Sequence, residues 1–228
     1  MIINTDAIVL KTFSYGETSL ISRCFTKDKG KISFIIKGAK SKKNLISPYF
    51  QPLSFINVIY KENEKRELQI VSKVSFVQIW TQIPLSLRKM SLSQSILEIS
   101  DFTLEKNDPY PNLFNVLINT FQIFESGDIN ENVLFWNYEC NILSEMGFMI
   151  NIEDSLDSEL ISLKINDKII NTIQQLINGN ISDIDLDTIS LDNKKKISKF
   201  LYQKLCFYFE GFERLKSFRV IKDIFYIY

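Results

Sequence analysis

Residues 8–44, IVLKTFSYGETSLISRCFTKDKGKISFIIKGAKSKKN, decide the predicted fold. They contain three runs with the composition of β-strands, namely IVLKTF, SLISRCFT and KISFIIKG. Turn signals separate these runs at Gly16 and at Gly30, because glycine adopts the positive φ angles that tight hairpin turns need. The stretch therefore predicts three antiparallel strands that lead into a lysine-rich loop over residues 37–43.

Basic residues are concentrated in the N-terminal part of the chain. Residues 11–43 hold nine Lys or Arg against two Asp or Glu, and residues 1–80 hold thirteen against six. The remaining residues hold fourteen against twenty-one, so the formal net charge of zero is a cancellation between two unlike parts. This asymmetry predicts an anionic partner for the basic part.

Two further strands are predicted before residue 80. Residues 50–60 form an apolar run in which Pro52 marks a strand start or a sheet edge, since proline cannot donate to a ladder. Residues 68–79 alternate between apolar and polar side chains. Five short strands followed by a helix predict a small barrel, and an OB-fold, an SH3-like barrel and a small sandwich all fit this pattern alone.

The remainder of the chain is predicted to be helical. Periodic apolar spacing indicates helices over the ranges 85–102, 113–124, 131–146, 167–177, 192–209 and 217–225. Gly147 and Asp192 are the predicted C-terminal and N-terminal caps of the third and fifth of these. Residues 150–166 are irregular and acidic, with a short strand pair as one option, and residues 181–191 are predicted to be loop or a single turn.

Composition argues against several classes of function. The chain has no histidine and no glycine-rich phosphate loop, so we predict no catalytic residues and no enzymatic activity. Cys24, Cys140 and Cys206 are widely spaced, so neither a metal site nor a cofactor is predicted. No apolar run reaches the roughly 18 residues of a membrane span, and no signal peptide is evident. We expect a cytoplasmic protein that does not bind membranes.

The order of motifs resembles the RecO family of bacterial recombination mediators and strand-annealing proteins. The resemblance is carried by YGE at residue 15, TKDKGKIS from Thr26, KGAKSK from Lys37 and the proline-bearing QPL at Gln51. The LKS at Leu215 is similar to the closing segment of the family.

The resemblance implies a fold and a set of partners. It favours an α+β multidomain protein, with a five-stranded OB-fold barrel over residues 1–80 and an all-α domain over residues 81–228. The implied function is DNA repair and recombination: binding single- and double-stranded DNA, annealing complementary strands and assisting recombinase loading. The implied protein partners are the acidic C-terminal tail of the single-strand-binding protein and RecR. Many members carry a zinc module with four cysteines after the helix that corresponds to residues 134–146. This sequence lacks those cysteines, so the zinc module is predicted to be absent here.

A nucleic-acid site is predicted on the basic stretch. The chain has 22 Lys and 5 Arg, which favours sequence-independent contact with phosphates. Gly38 and Ala39 are expected to give the loop a flexible backbone on which its lysines converge. Tyr15 lies beside a turn and could stack on bases, whereas Phe25 and Phe34 are expected in the barrel core. The predicted contacts are Lys37, Lys40, Lys42, Lys43, Arg23, Lys31, Lys11 and Tyr15.

Two other basic clusters lie within residues 194–204 and 214–222. Either could contact DNA or an acidic peptide, or be a solvated helix face. Two alternative functions fit the same sequence: an RNA-binding accessory factor, since OB-folds bind both nucleic acids, and an interaction module whose basic barrel binds an acidic protein.

Overall fold

A closed five-stranded barrel forms the N-terminal part of the computed structural model, which describes residues 1–41, 45–148, 150 and 165–225. The strand order is β1-β2-β3-β5-β4, and only the β3–β5 pair is parallel. This barrel is followed by helices, so the predicted α+β class with an N-terminal OB-fold is confirmed. The strands are β1 (Ile2–Tyr15), β2 (Ser19–Thr26), β3 (Gly30–Ile36), β4 (Phe55–Lys61) and β5 (Leu68–Gln78).

The two predicted hairpins are present. β1 pairs with β2 from Ala7–Thr26 to Tyr15–Ser19, and β2 pairs with β3 as far as Leu20–Ile36. Gly16 and Gly30 adopt φ angles of +57° and +65°, as the turn signals predicted. β1 begins six residues before the predicted run because its first half pairs with β4, from Ile2–Lys61 to Ile8–Phe55.

The predicted strand over residues 50–60 is wrong at its start. Ser47–Phe50 forms a 3-10 turn, Pro52 lies in the turn that follows, and β4 begins only at Phe55. The backbone here is held against β1, because the Leu53 amide donates to the Val9 carbonyl at 2.9 Å. The Leu53 carbonyl also accepts a hydrogen bond from the Trp80 indole at 2.9 Å, so the turn is anchored on both sides.

The barrel interior is filled by apolar side chains from all five strands. Phe34 is fully buried there and meets Tyr60 edge-on, with ring centroids 5.2 Å apart. Phe25 is fully buried as well, but its ring packs against Phe114 at 5.4 Å rather than in the interior cluster. The predicted place of Phe34 in the barrel core is confirmed, but that of Phe25 is wrong, because its ring is buried against Phe114 instead.

Six α-helices lie within the described residues, close to the predicted ranges. They are α1 (Leu87–Thr103), α2 (Pro111–Ser126), α3 (Glu131–Glu145), α4 (Asp167–Ile177), α5 (Leu191–Tyr208) and α6 (Lys216–Phe225). Residues 181–191, predicted as loop or a single turn, contain two short 3-10 turns before α5 begins. The option of a strand pair within residues 150–166 falls almost wholly outside the described residues.

The helix caps give one confirmation and one correction. Gly147 has a φ of +83°, and the Phe148 amide donates to the Leu143 carbonyl at 2.8 Å, which is the Schellman arrangement for the end of α3. Asp192 is not the cap of α5. Ser190 is, because its hydroxyl accepts from the Asn193 amide, so the cap lies two residues earlier than predicted.

The chain divides into two compact units, the first formed by Met1–Thr81 with Ser93–Asn115 and the second by Gln82–Leu92 with Val116–Tyr228. A domain boundary at residue 80 stays a prediction. In the second unit α3 is the most buried helix, and its Trp136 donates from the indole to Ser198 of α5 at 2.9 Å. None of the described helices is long and apolar enough to cross a membrane.

Replacing Gly30 with Ala should destabilise the first unit strongly. A Cβ at Gly30 would lie 1.8 Å from the carbonyl oxygen of Asp108, so the backbone must shift in addition to adopting a strained φ. We expect the free energy of unfolding to fall by about 3 kcal/mol or more in denaturant titrations. Gly16→Ala is the matched control, because Gly16 has a similar φ and open space around it. Its cost should be only about 1–2 kcal/mol. Equal losses in the two variants would contradict the close approach to Asp108.

Candidate nucleic-acid interface

One outer face of the barrel combines cationic and aromatic side chains. Lys11, Phe13 and Tyr15 alternate along the second half of β1 and therefore share a face. The register pairs Lys11 with Arg23 and Phe13 with Ile21, which places β2 residues on the same face. Phe13 and Tyr15 are 42% and 52% exposed, which is high for aromatic residues in a strand.

Arg23 connects this face to α1. Its guanidinium carbon lies 5.9 Å from the centroid of the Phe13 ring, within the range of a cation–π contact. The same guanidinium forms a 2.8 Å ion pair with Asp101. Arg23 is thus partly neutralised and held in place, with its charge at the edge of the exposed aromatic pair.

Lys31 lies apart from this surface. It is 9% exposed, and its ammonium group donates to the backbone carbonyl of Asp101 at 2.6 Å. Burial lowers the pKa of Lys31, only partly opposed by the carboxylate of Asp101. Burial also raises the pKa of Asp101, against the opposing effect of Arg23. The ammonium of Lys31 is therefore bound inside the first unit.

The lysine-rich loop is anchored on the barrel over its described part. Gly38 has a φ of +68°, and Ala39 is 2% exposed within the barrel core. The Lys40 amide donates to the Thr18 carbonyl at 3.0 Å, and its ammonium group lies 3.2 Å from the Gly16 carbonyl. The methyl group of Ala39 is packed in the barrel interior, and the flexibility expected of this backbone stays a prediction.

The structure brings together some of the predicted contacts. Lys11, Tyr15 and Arg23 share the outer face, and Lys40 reaches the β1–β2 turn that follows Tyr15. Lys37 is exposed at the start of the same loop, and Lys42 and Lys43 fall outside the described residues. Phe13 was not among the predicted contacts. Only the strand register, which pairs it with Ile21 beside Arg23, shows which way it faces.

The cysteine and acidic side chains of the described residues form no cluster of metal ligands. No group of three or more His, Cys, Asp or Glu residues among them is placed to hold an ion. Cys24 lies in the barrel core, and burial raises the pKa of its thiol to about 12. Cys140 is buried in α3, and burial raises its pKa as well. Both thiols are therefore protonated at neutral pH and behave as small apolar groups.

A closed five-stranded barrel followed by helices defines an OB-fold protein, and its exposed face carries the kinds of group with which such barrels contact nucleic acids. Residues 1–80 match the model for the N-terminal part of recombination protein O, and residues 84–217 match the model for its C-terminal part. The chain belongs to the recombination protein O, or RecO, family.

Several bacterial relatives named DNA repair protein RecO are similar to this chain. The protein of Salinibacter ruber is 33% identical over 117 residues, which cover 51% of this chain and 45% of the relative. The proteins of Chloroherpeton thalassium and Streptococcus gordonii are 26% and 28% identical over 67% of this chain, covering 59% and 57% of their own lengths. The chain thus spans about half the length of the curated relatives it matches.

Asp101 should give the stability of the first unit a specific pH dependence. Because burial raises its pKa, the folded chain binds this proton more tightly than the unfolded chain. Its contribution to stability is therefore full below an ordinary aspartate pKa of about 3.9 and is lost as the pH rises through the folded value. Relative to Asp101→Asn, the natural protein should lose free energy of unfolding as the pH rises from about 4 through the raised pKa of Asp101.

Denaturant titrations of both proteins across this range measure the difference. The charged groups that act on Asp101 are Arg23, Lys31, Lys11 and Glu98. If the difference instead moves in favour of the natural protein as the pH rises, the ion pair with Arg23 outweighs the burial of the carboxylate.

Proposed function

We propose that this protein serves DNA repair and recombination by binding single- and double-stranded DNA on the exposed face of its barrel, without catalysing a covalent step. The observation that supports this most directly is the shared face of Lys11, Phe13, Tyr15 and Arg23 beside the anchored lysine loop. Family membership supplies the link to repair, because its bacterial relatives bear that name.

The two kinds of side chain have separate roles in this proposal. Lys11, Lys37 and Lys40 are exposed, so they contact phosphates and release condensed counterions. Phe13 and Tyr15 stack on bases, which is tolerant of sequence because every base has a π-face. Lys42 and Lys43 continue the loop in sequence and extend the phosphate contact. Arg23 orients Phe13 and lies at the edge of the site. Lys31 holds Asp101 in place through its hydrogen bond to the backbone carbonyl inside the first unit.

Annealing follows from the same electrostatics. Two complementary strands repel each other through their phosphates, and a cationic surface that neutralises part of this charge lowers the repulsion when both strands are held close. In the proposed role the protein also assists the loading of recombinase on coated single strands in the cytoplasm. Its protein partners are then the acidic tail of the single-strand-binding protein and RecR, as the family resemblance implies.

Replacing the exposed lysines should weaken DNA binding and flatten its salt dependence. Lys11→Gln with Lys37→Gln and Lys40→Gln removes three proposed phosphate contacts, each worth about 0.7 in the slope of log K against log salt for single strands. The slope should therefore shrink by about 2 units in anisotropy titrations with a labelled oligonucleotide.

A matched control removes three exposed lysines elsewhere on the barrel, Lys27, Lys61 and Lys73. Equal losses in both triple variants would mean that only net charge matters and that the proposed face is not the site. Tighter binding of RNA than of DNA, or of an acidic protein in preference to either, would assign the surface to one of the alternative functions.

Replacing the exposed aromatic residues should weaken binding in a different way. Phe13→Ala and Tyr15→Ala each remove a stacking surface worth about 1–3 kcal/mol per base, so the affinity for single strands should fall by roughly tenfold or more at constant salt. The salt slope should not change, because no charge is lost. Phe207→Ala is the control, since Phe207 is an exposed aromatic residue of the second unit. If neither barrel variant lost affinity, Phe13 and Tyr15 would not stack on bases, and only the phosphate contacts would remain on this face.

A further inference from the structure

A groove of about 400 Å³ lies between α5 and α6 in the second unit. Cationic side chains stand on both of its walls, Lys199 from α5 and Arg219 with Lys222 from α6. Tyr202 and Phe218 supply aromatic surface, and their ring centroids are 5.4 Å apart. The remaining lining residues are Gln203, Glu213 and Leu215.

The chain reversal between the two helices builds this groove. Gly211 takes a φ of +84°, and Phe212 is fully buried with its ring 5.0 Å from that of Phe218. This contact places α6 against α5, so two basic clusters that are separate in sequence line one cavity. Lys199 and Lys222 both line the groove and are exposed.

The lining of the groove is mainly cationic, whereas the sequence around it is mainly acidic. Residues 81–228 carry an excess of acidic side chains, yet the lining of the groove holds three cations and one carboxylate. That carboxylate, Glu213, also lies 3.5 Å from the Arg214 guanidinium, which reduces its effect on an incoming anion. The groove therefore favours an anionic ligand with a flat apolar part.

We propose that this groove is a second binding site for single-stranded nucleic acid, with a base against Tyr202 and Phe218 and phosphates at Lys199, Arg219 and Lys222. The inference rests on the proposed function, since it assumes that single strands are the ligand. An exposed Lys195 precedes Lys199 by one helical turn, a rise of about 6 Å, so cations repeat along the approach to the groove. A ligand with regularly repeated charge fits this row better than a short acidic peptide.

A second site gives annealing a physical basis on one molecule. One strand binds the barrel face and another binds the groove, so both strands are partly neutralised at the same time. One molecule then holds two strands without a second copy of itself.

The test counts the oligonucleotides bound per chain. A thymidine oligonucleotide of about ten residues is long enough for one OB-fold site, so a chain with two sites should bind two copies in native mass spectrometry at low salt. Lys199→Gln with Lys222→Gln should bind one copy. Lys89→Gln with Lys168→Gln is the matched control in the second unit and should still bind two, since neither residue lines the groove.

The barrel variants separate this inference from the proposed function. Lys11→Gln with Lys37→Gln and Lys40→Gln should lose one copy and keep the copy in the groove. If the natural protein binds only one copy and the groove variant keeps it, the second site does not exist while the barrel function stands. If the groove variant loses the only copy and the barrel variant keeps it, the barrel proposal fails and the groove remains. An Asp-rich peptide that binds the natural protein but not the groove variant, while the oligonucleotide count stays the same in both, would assign the groove to a protein partner and overturn the proposal.

Discussion

The double pairing of β1 is the constraint on which the barrel depends. Its first half is paired with β4 as far as Ile8, and its second half is paired with β2 as far as Tyr15, with a register shift between Val9 and Lys11. Because this strand pairs with both neighbours, it closes the sheet. Beyond Ile8 the strand has no partner in β4, and it is this segment that carries Lys11, Phe13 and Tyr15. Barrel closure and the exposed cationic and aromatic face therefore come from the same strand.

Asp101 binds two of the cations that the neighbouring strands carry. Its carboxylate is paired with Arg23, and its backbone carbonyl accepts from Lys31, so one residue of α1 engages two strand cations inside the first unit. Both shifts in pKa arise mainly from burial, which means that this cluster is retained at an electrostatic cost. Lys11, Lys37 and Lys40 stay exposed, and none of them forms a hydrogen bond or ion pair with Asp101 among the described contacts.

Much of the architecture could be predicted from local pattern. Turn glycines at positions 16 and 30, the alternation along residues 68–79 and the apolar spacing of the helices depend on short-range sequence, and the structure has these elements close to the predicted bounds. The errors occur where a distant contact decides the local backbone. Pro52 lies in a turn because Leu53 bonds to Val9 and Trp80, and Phe25 lies outside the barrel core because its ring packs against Phe114.

The sequence by itself determined the class of fold, the family and the basic character of the N-terminal part, because strand periodicity, turn residues and charge are properties of neighbouring residues. Tertiary structure alone decided which of the basic residues face outward. Lys11 and Lys31 are equally charged in the sequence, yet one is exposed beside Phe13 and the other is buried against Asp101, seventy positions along the chain. In the same way, Lys199 and Lys222 line one groove only because Phe212 and Phe218 pack together. Exposure is a property of the packed chain, and residues far apart in sequence determine it.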